Sequence, residues 1–348
     1  MFRLRHLSSR LLLATAAAMA AAQPAPADIA QTISGPIVHE RLAVYFIHGS
    51  GPGGPVPLTL AEAMAKGVVT VHETGDVNQL AIENTGEDEV FIQSGDIVKG
   101  GQQDRTLTLS MIVPPRSGRV PIAAFCVEQG RWSQRGNEEV AAFASSEKML
   151  PSKDGKWALR SMLKGLIGAD GETADTGNKQ QEVWESVSKT QQDLMQNLGG
   201  YTVAAEASPS SLQLTLENEK LEEMVKSYVT ALEEKGLAGD DIVGFAFAID
   251  GKLNSAEIYP SNGLFRKMWP KLLRASVTEA IGAATGDKTE APKPEFVTEH
   301  LARADAGKEQ TGAVDAANIV ETREADDITV FETKRAVGGF VHRSYMLK

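Results

Sequence analysis

The chain has 348 residues, 42% of them hydrophobic, and carries 35 lysines and arginines against 46 aspartates and glutamates. The formal net charge of −11 disfavours nucleic acid and anionic membranes as partners, because like charges repel. The single cysteine cannot form an internal disulfide, and the scarcity of cysteine and histidine argues against a structural zinc site, so no metal and no cofactor is predicted.

Residues 1–27 have the order of a secretory signal peptide. Three arginines within the first ten residues precede the apolar run Leu11–Ala22, which is shorter than the roughly 20 residues of a stable membrane anchor. Cleavage is expected after Ala22 or Ala27. An uncleaved anchor and an amphipathic transit peptide are the alternatives. We expect a periplasmic or secreted protein without a membrane span after leader removal, which also removes three arginines and leaves 32 basic against 46 acidic residues.

Residues 31–150 show mainly the pattern of short strands, rich in β-branched side chains and bounded by Gly, Pro, Asn and Asp. One helical pattern, Leu58–Lys66, ends at Gly67. The predicted strands are Ile37–Ile47, Val68–Glu73, Gln79–Glu83, Val90–Gln93, Thr106–Val113 and Val120–Val127.

Residues 151–348 form the helical and hairpin half of the prediction, which we expect to pack with the first half as one unit. Helical spacing already begins at Glu138 and runs to Leu198, with a polar loop at Ala169–Asn178. The fold class is therefore α+β, a β-rich N-terminal half followed by helices with two β-hairpins. The later elements are helices at Leu216–Gly236 and Leu264–Ile281, hairpins around Asp250-Gly251 and Gly338-Gly339, a linker at Gly286–Pro294, and a solvated basic helix face of Arg266, Lys267, Lys271 and Arg274.

The first candidate site segment is Ser94–Arg105, a polar connection between two apolar strands. Its adjacent glycines would let backbone N–H groups approach a ligand closely, and Asp96 adds a carboxylate. The alternative is a wide turn whose polar groups satisfy one another. The candidate ligand-binding residues here are Lys99, Gly100, Gln103 and Arg105.

The second segment is Cys126–Trp132. Strand alternation would place Glu128 on one side and Gln129 and Arg131 on the other. Glu128 has the chemistry of a general acid or base, Gln129 and Arg131 could bind polar or anionic groups, and Trp132 could stack on a flat ligand. The alternative is a structural Glu–Arg pair with a packed tryptophan. We expect the cysteine to be a buried core thiol rather than a nucleophile.

Antiparallel pairing of Thr106–Val113 with Val120–Val127 would bring the two segments together. The start of the first strand would then lie beside the end of the second, which places Arg105 close to Glu128. We therefore expect one site in which Arg105 and Arg131 both lie near Glu128.

Several runs resemble the ARG and Rhodanese-Phosphatase-superfamily-associated protein domain family, across most of the chain after the leader. Cys-Val-Glu-Gln-Gly-Arg-Trp is the most specific of them. The family's name associates it with ADP-ribosylglycohydrolases and rhodanese-like phosphatases, which implies nucleotide-derived ligands but no particular activity. The matching runs are Leu58–Gly67, Ser94–Arg105, Cys126–Trp132, Gln181–Trp184, Leu264–Leu273 and Val341–Tyr345.

Two functions remain open at this point. The first is a ligand-binding or envelope interaction protein, whose partner is a small molecule or an envelope component. The second is a metal-independent hydrolase of a glycosidic or phosphate ester, with Glu128 and Asp96 as the acid/base pair. An enzyme needs both carboxyl groups at an open cleft, whereas a binding protein needs them satisfied by fixed donors. The sequence leaves the oligomeric state open.

Overall fold

The structure is a computed structural model that describes residues 31–51, 53–131, 135, 143–167, 176–283 and 289–348. The predicted leader and Trp132 lie outside these residues. Within them, none of the helices is long and apolar enough to cross a membrane.

The N-terminal part of the chain is rich in strands, as predicted, with one short helix. Its elements are β1 (Thr32–His39), β2 (Leu42–His48), β3 (Leu58–Thr59), α1 (Leu60–Ala65), β4 (Val69–Glu73), β5 (Gln79–Asn84), β6 (Val90–Ile92), β7 (Asp96–Gly100), β8 (Arg105–Leu107), β9 (Met111–Val113), β10 (Gly118–Cys126) and β11 (Phe143–Met149).

The C-terminal part alternates helices with strand pairs. Its elements are α2 (Lys153–Ile167), α3 (Thr176–Asn197), α4 (Leu212–Leu216), α5 (Glu219–Leu237), β12 (Ile242–Ile249), β13 (Lys252–Ile258), α6 (Asn262–Gly282), α7 (Pro294–Asp305), β14 (Lys308–Ala313), β15 (Asn318–Glu324), β16 (Ile328–Arg335) and β17 (Phe340–Leu347).

The strands form three sheets, which confirms the predicted α+β class. The largest has the order β1-β2-β12-β13-β17-β16-β15-β14, the second β11-β7-β8-β10-β5-β4, and the third β3-β6-β9. Because β2 pairs with β12, strands from both halves of the chain share one sheet. Helix α6 packs on this sheet, where Trp269 contacts the rings of Phe46 and Phe245.

Local chemistry accounts for the elements that the sequence predicted correctly. Thr59 and Glu62 form a capping box at the start of α1, and Gly67 follows the helix with a φ of 68°. Asp250 and Gly251 both have positive φ, as the tight turn between β12 and β13 requires.

The predicted strand Thr106–Val113 is in fact two strands of different sheets. Its first part, β8, pairs with β10 as predicted, whereas β9 pairs with β6. The chain turns between them, where the backbone N–H of Ser94 donates to the hydroxyl of Ser110 and the hydroxyl of Ser94 donates to the carbonyl oxygen of Thr108. The predicted strand Ile37–Ile47 is likewise a hairpin, β1–β2, which turns at Glu40 with a φ of 52°.

The helical prediction from Glu138 onward is wrong for the residues of β11. Phe143, Ser146 and Met149 are the buried residues of this strand, a spacing of three that resembles a helix. The spacing arises because the pairing register with β7 shifts between Ser145 and Met149.

The sequence analysis also missed α7, β14 and β15. Strand β14 is an edge strand with almost no buried residue, so it lacks the hydrophobic alternation that identifies strands. In β15 charged side chains pair across the sheet, as Arg323 does with Glu332 at 2.9 Å.

Candidate functional site

The β8–β10 pairing brings two buried carboxylates together. Cys126 is the register partner of Arg105, and the backbone N–H of Val127 donates to the carbonyl oxygen of Asp104 at 3.0 Å. Asp104 and Glu128, the residues just beyond this pairing, are both fully buried. Two neighbouring carboxylates without solvent require cations, because an uncompensated buried charge is strongly destabilising.

Arg131 and Arg135 supply these cations. The Nε of Arg131 lies 2.6 Å from a carboxylate oxygen of Glu128, and its Nη2 lies 3.6 Å from Asp104. The Nη1 of Arg135 lies 2.8 Å from Asp104 and 3.4 Å from Glu128. We call Asp104, Glu128, Arg131 and Arg135 the ion-pair cluster.

The strand alternation expected beyond Cys126 is wrong, because β10 ends at that residue. The chain then turns, with Gly130 at a φ of 87°, and the side chain of Arg131 comes back to Glu128 instead of pointing away from it. The alternative of a structural Glu–Arg pair therefore describes the geometry of these two side chains.

Further donors fix the carboxylate of Asp104. The backbone N–H of Gly100 donates to it at 3.0 Å, and the hydroxyl of Ser211, the N-cap of α4, lies 3.3 Å from it. Burial raises the pKa of Asp104, and the hydrogen bond and charge of Arg135 oppose that rise. The cluster thus ties the β7–β8 connection to β10 and to the start of α4.

Arg105 is fully buried beside the ion-pair cluster but has different partners. Its guanidinium donates to the carbonyl oxygen of Gln103 at 3.0 Å and lies 3.8 Å from the carboxylate of Glu73. Glu73 also accepts the backbone N–H of Gln102 at 3.2 Å. The glycine at position 101 is needed because a Cβ there would lie 2.6 Å from the ring of Phe143.

The remaining predicted ligand-binding residues lie nearer the surface. The ammonium of Lys99 lies 3.3 Å from Glu217. Gln129 is exposed, and its carbonyl oxygen accepts the hydroxyl of Ser210 at 2.6 Å. Their ligand-binding roles, like those of Gly100, Gln103, Arg105 and Arg131, remain predictions.

Asp96, the other predicted catalytic carboxylate, has its own surroundings at the opposite end of β7 from Gly100. It is 2% exposed, accepts the backbone N–H of Gln93 at 2.9 Å and lies 2.5 Å from the ammonium of Lys271. Asp96 and Glu128 therefore have different cationic partners. The acid/base assignment of these two residues requires a cleft that both of them face.

Asp96 lines a cleft of about 310 Å³ that we call the α6 cleft. Lys267, Lys271 and Arg274 of α6 line it as well, since residues four and three positions apart share one face of a helix. The expectation of a solvated basic face is wrong for Lys271, which is only 14% exposed, because its side chain reaches inward to Asp96. Arg266 is exposed, as expected.

Each of the three cations of the α6 cleft has a carboxylate partner. Lys267 lies 2.9 Å from Glu62, and Arg274 lies 3.3 Å from Glu222. Burial, and after it the positive charge of Arg274, lowers the pKa of the adjacent Lys148. The three cations are thus held in place before any ligand arrives, each by a carboxylate partner.

Cys126 is buried, as predicted. The side-chain amide of Gln180 bonds to both its backbone N–H and its carbonyl oxygen, each at 2.9 Å. Burial raises the pKa of the thiol to about 11. The thiol is therefore protonated at neutral pH, which is unsuited to nucleophilic attack.

Sequence reasoning missed several participants in this region. Glu73 and Ser211 are far from both motif segments along the chain, so no local pattern could connect them to Arg105 and Asp104. Arg135 follows the second segment by only three residues, and a search for a second arginine near Glu128 would have found it. Among the described residues, no group of three or more His, Cys, Asp or Glu side chains could hold a metal ion.

Comparison with protein families gives one match. The model of the ARG and Rhodanese-Phosphatase-superfamily-associated Protein domain matches residues 31–346. No curated protein and no solved structure matches the chain.

Proposed function

Because the chain belongs to the ARG and Rhodanese-Phosphatase-superfamily-associated protein domain family, we propose that it is an exported protein that binds a small phosphorylated ligand. The observation that carries this proposal is the row of three cations, Lys267, Lys271 and Arg274, in the α6 cleft. The cleft volume of about 310 Å³ lies at the lower end of the range for small-molecule sites.

The polar lining of the α6 cleft supports a ligand with both anionic and hydroxyl groups. Glu147 and Glu233 line it together with the three cations and Asp96. Cations can bind phosphate oxygens, while carboxylates accept hydrogen bonds from sugar hydroxyls. A sugar phosphate or a nucleotide derivative such as ADP-ribose has this combination, which agrees with the ligand class that the family's name suggests.

The binding test uses the chain without residues 1–27 and three probes, inorganic phosphate, ADP-ribose and uncharged ribose. We expect ADP-ribose to raise the melting temperature and to bind in calorimetry, because a ligand of the folded state stabilises it by mass action. The variant Lys267→Gln/Arg274→Gln should weaken this binding at least tenfold, about 1.4 kcal/mol, since it removes two charge-assisted contacts.

The matched control, Arg266→Gln/Lys235→Gln, removes two charges outside the cleft from α6 and α5. It should bind ADP-ribose as the unmodified chain does. Equal losses of ADP-ribose affinity in both variants would mean that binding depends only on the net charge of the protein. If neither phosphate nor ADP-ribose raised the melting temperature or bound in calorimetry, the proposed ligand class would be excluded.

Export is the other part of the proposal. The family match begins at residue 31, so residues 1–30 lie outside the matched domain, as a removable leader would. When the full chain is expressed in a Gram-negative host, the periplasmic fraction should contain a protein that begins at Gln23 or Asp28. Mass spectrometry of its N-terminus gives the cleavage site, and a protein retained in the membrane with Met1 intact would overturn this part.

A further inference from the structure

Three side chains at one end of the largest sheet form a continuous hydrogen-bonded chain. The hydroxyl of Ser34 lies 2.7 Å from Nε2 of His48, and Nδ1 of His48 lies 3.0 Å from a carboxylate oxygen of Asp241. The carboxylate partner places the ring proton on Nδ1, which leaves Nε2 free to accept the serine proton. This is the arrangement in which a histidine activates a serine as a nucleophile.

The sheet brings these residues together from three neighbouring strands. His48 ends β2, which lies between β1 and β12, and Asp241 directly precedes β12. Ser34 lies on β1 two residues beyond the register partner of His48, so both side chains are on the same face. The pairing register shifts immediately after Ser34, and such bulges re-aim side chains beside active sites.

His48 and Asp241 also line an open cleft of about 680 Å³, together with the start of α6 and with Thr32, the residue two positions before Ser34 on the same strand. The hydroxyl and the carbonyl oxygen of Ser261 accept the N–H groups of Leu264 and Phe265. The two preceding N–H groups, of Asn262 and Gly263, belong to the first turn of this 21-residue helix, where the helix dipole is positive.

Asn262 connects the start of α6 to the turn that contains Asp241, the acidic residue of the hydrogen-bonded set. Its side-chain amide donates to the carbonyl oxygens of Gly239 and Ile242, at 3.1 and 2.8 Å, and so holds the turn that carries Asp241. The helix start and the hydrogen-bonded chain are therefore fixed relative to each other. Backbone donors at a helix start that lines the same cleft as His48 can stabilise a negatively charged oxygen as it develops.

We propose that Ser34, His48 and Asp241 form a hydrolytic site for uncharged carboxylic esters with a short acyl chain. Among the residues that the structure describes, the side chains that line the cleft are polar or absent, as at Gly49, Ser50 and Gly51, so these residues form no apolar channel for a long acyl chain. Asp240 and Asp241 give the cleft a negative charge that disfavours anionic esters.

The reaction has two balanced halves. The oxygen of Ser34 bonds to the ester carbonyl carbon while its proton passes to Nε2 of His48, and the bond to the alcohol oxygen then breaks as that oxygen takes the proton. Water next attacks the acyl group on Ser34, again giving a proton to His48. The carboxylic acid leaves, and Ser34 recovers its proton. Asp241 is a positioning residue that holds the histidine ring in the required tautomer.

The test measures hydrolysis of 4-nitrophenyl acetate and 4-nitrophenyl octanoate by the chain without residues 1–27. We expect saturable hydrolysis of the acetate and at least tenfold lower kcat/KM for the octanoate. Ser34→Ala should lower kcat at least a hundredfold. Asp241→Asn should lower kcat while leaving KM within twofold, which loss of the fold would not do.

The control variant Ser188→Ala changes an exposed serine on α3, far along the chain from this cleft, and should keep full activity. A fluorophosphonate should label the intact protein once, at Ser34, as shown by peptide mass spectrometry, and Ser34→Ala should not be labelled. Full hydrolysis by Ser34→Ala, labelling of another serine, or neither hydrolysis nor labelling would each overturn the proposal. None of these outcomes depends on ligand binding in the α6 cleft.

Discussion

The ion-pair cluster and the α6 cleft each receive one carboxylate from the same loop region, but they differ in solvent access. Asp104 and Glu128 are fully buried and contact two arginines, so their charges are compensated within the protein. Asp96 is itself only 2% exposed, but it lines a cleft in which Lys267 and Arg274 of α6 remain partly exposed to solvent. The polar segment Ser94–Arg105 therefore contributes a carboxylate to buried ion pairs beyond one end of β7 and a carboxylate that lines a cleft at the other end.

Substitutions in the two regions should change the free energy of unfolding by different amounts. Removing one partner of a fully buried ion pair leaves the other charge without solvent or counter-charge, which costs about 3–5 kcal/mol. Removing a cation that solvent can reach costs much less stability, because water replaces part of the lost interaction. Substitutions in the cluster should thus lower stability, and those in the cleft should mainly lower binding.

The largest effect is expected for Glu128→Ala. The change leaves Arg131 and Arg135 with only Asp104 as a carboxylate partner in the cluster, and we expect a loss of about 3–5 kcal/mol in the free energy of unfolding. Urea denaturation measures it. The control is Glu87→Ala, which removes the exposed partner of Arg116 and should cost less than about 1 kcal/mol. Similar losses in the free energy of unfolding for both variants would show that the buried cluster contributes no more to stability than an exposed ion pair.

The next effect concerns the glycine beside the ion-pair cluster. Gly101 has a φ of 56°, and an added Cβ would meet Phe143 and Glu73 at 2.6 and 2.7 Å. Gly101→Ala combines backbone strain with overpacking and should cost about 2–4 kcal/mol. Gly75→Ala has a similar φ of 82° with nothing within 4 Å, so it isolates the backbone contribution of about 1 kcal/mol. If the two alanine variants melt alike, Gly101 is not closely packed.

The fold class was predictable from the sequence because the patterns that indicate helices, strands and turns depend on neighbouring residues. The short helix that Thr59 caps and the Asp250-Gly251 turn depend on neighbouring residues alone, and the sequence predicted this helix and this turn, although not the capping box. Strand β11 was mistaken for a helix because its buried spacing depends on a register shift against β7. Strand β14 was missed because an exposed edge strand needs no apolar face.

The candidate site could be predicted only in part, for the same reason. The pairing of β8 with β10 follows from two apolar runs and a turn, so the proximity of residue 105 to the end of β10 was predictable. The pairing of Asp96 with Lys271, 175 positions away, has no local signal. The hydrogen-bonded set of Ser34, His48 and Asp241 has no local signal either, because these residues come together only through the order of the strands.

The Asp96–Lys271 pair should contribute less to stability than the ion pairs of the cluster. A double-mutant cycle of Asp96→Asn and Lys271→Gln should give a coupling energy of about 1–2 kcal/mol, between the values for exposed and fully buried pairs. Urea denaturation of the two single variants and the double variant measures it. A coupling above about 3 kcal/mol would place this pair with the ion-pair cluster, and none at all would show that Lys271 is free for a ligand.

The smallest effect is expected for Cys126, which lies on β10 two residues before Glu128. Its folded pKa of about 11 is above the ordinary value of a thiol. A raised pKa favours folding below the unfolded pKa, and that contribution is lost as the pH rises through the folded value, between about pH 9 and 11. Cys126→Ala should remove this dependence at a cost of only about 1 kcal/mol.

Thiol labelling then connects Cys126 to the cluster. At pH 8 only about one thiol in a thousand would be ionised at this pKa, so labelling of the native protein should be slow and should follow transient opening. Since opening becomes more frequent as the free energy of unfolding falls, Glu128→Ala should label faster than the unmodified chain, and Glu87→Ala should not. Rapid labelling of the unmodified chain at neutral pH would show an accessible thiolate, and the ion-pair cluster would then not close this end of β10.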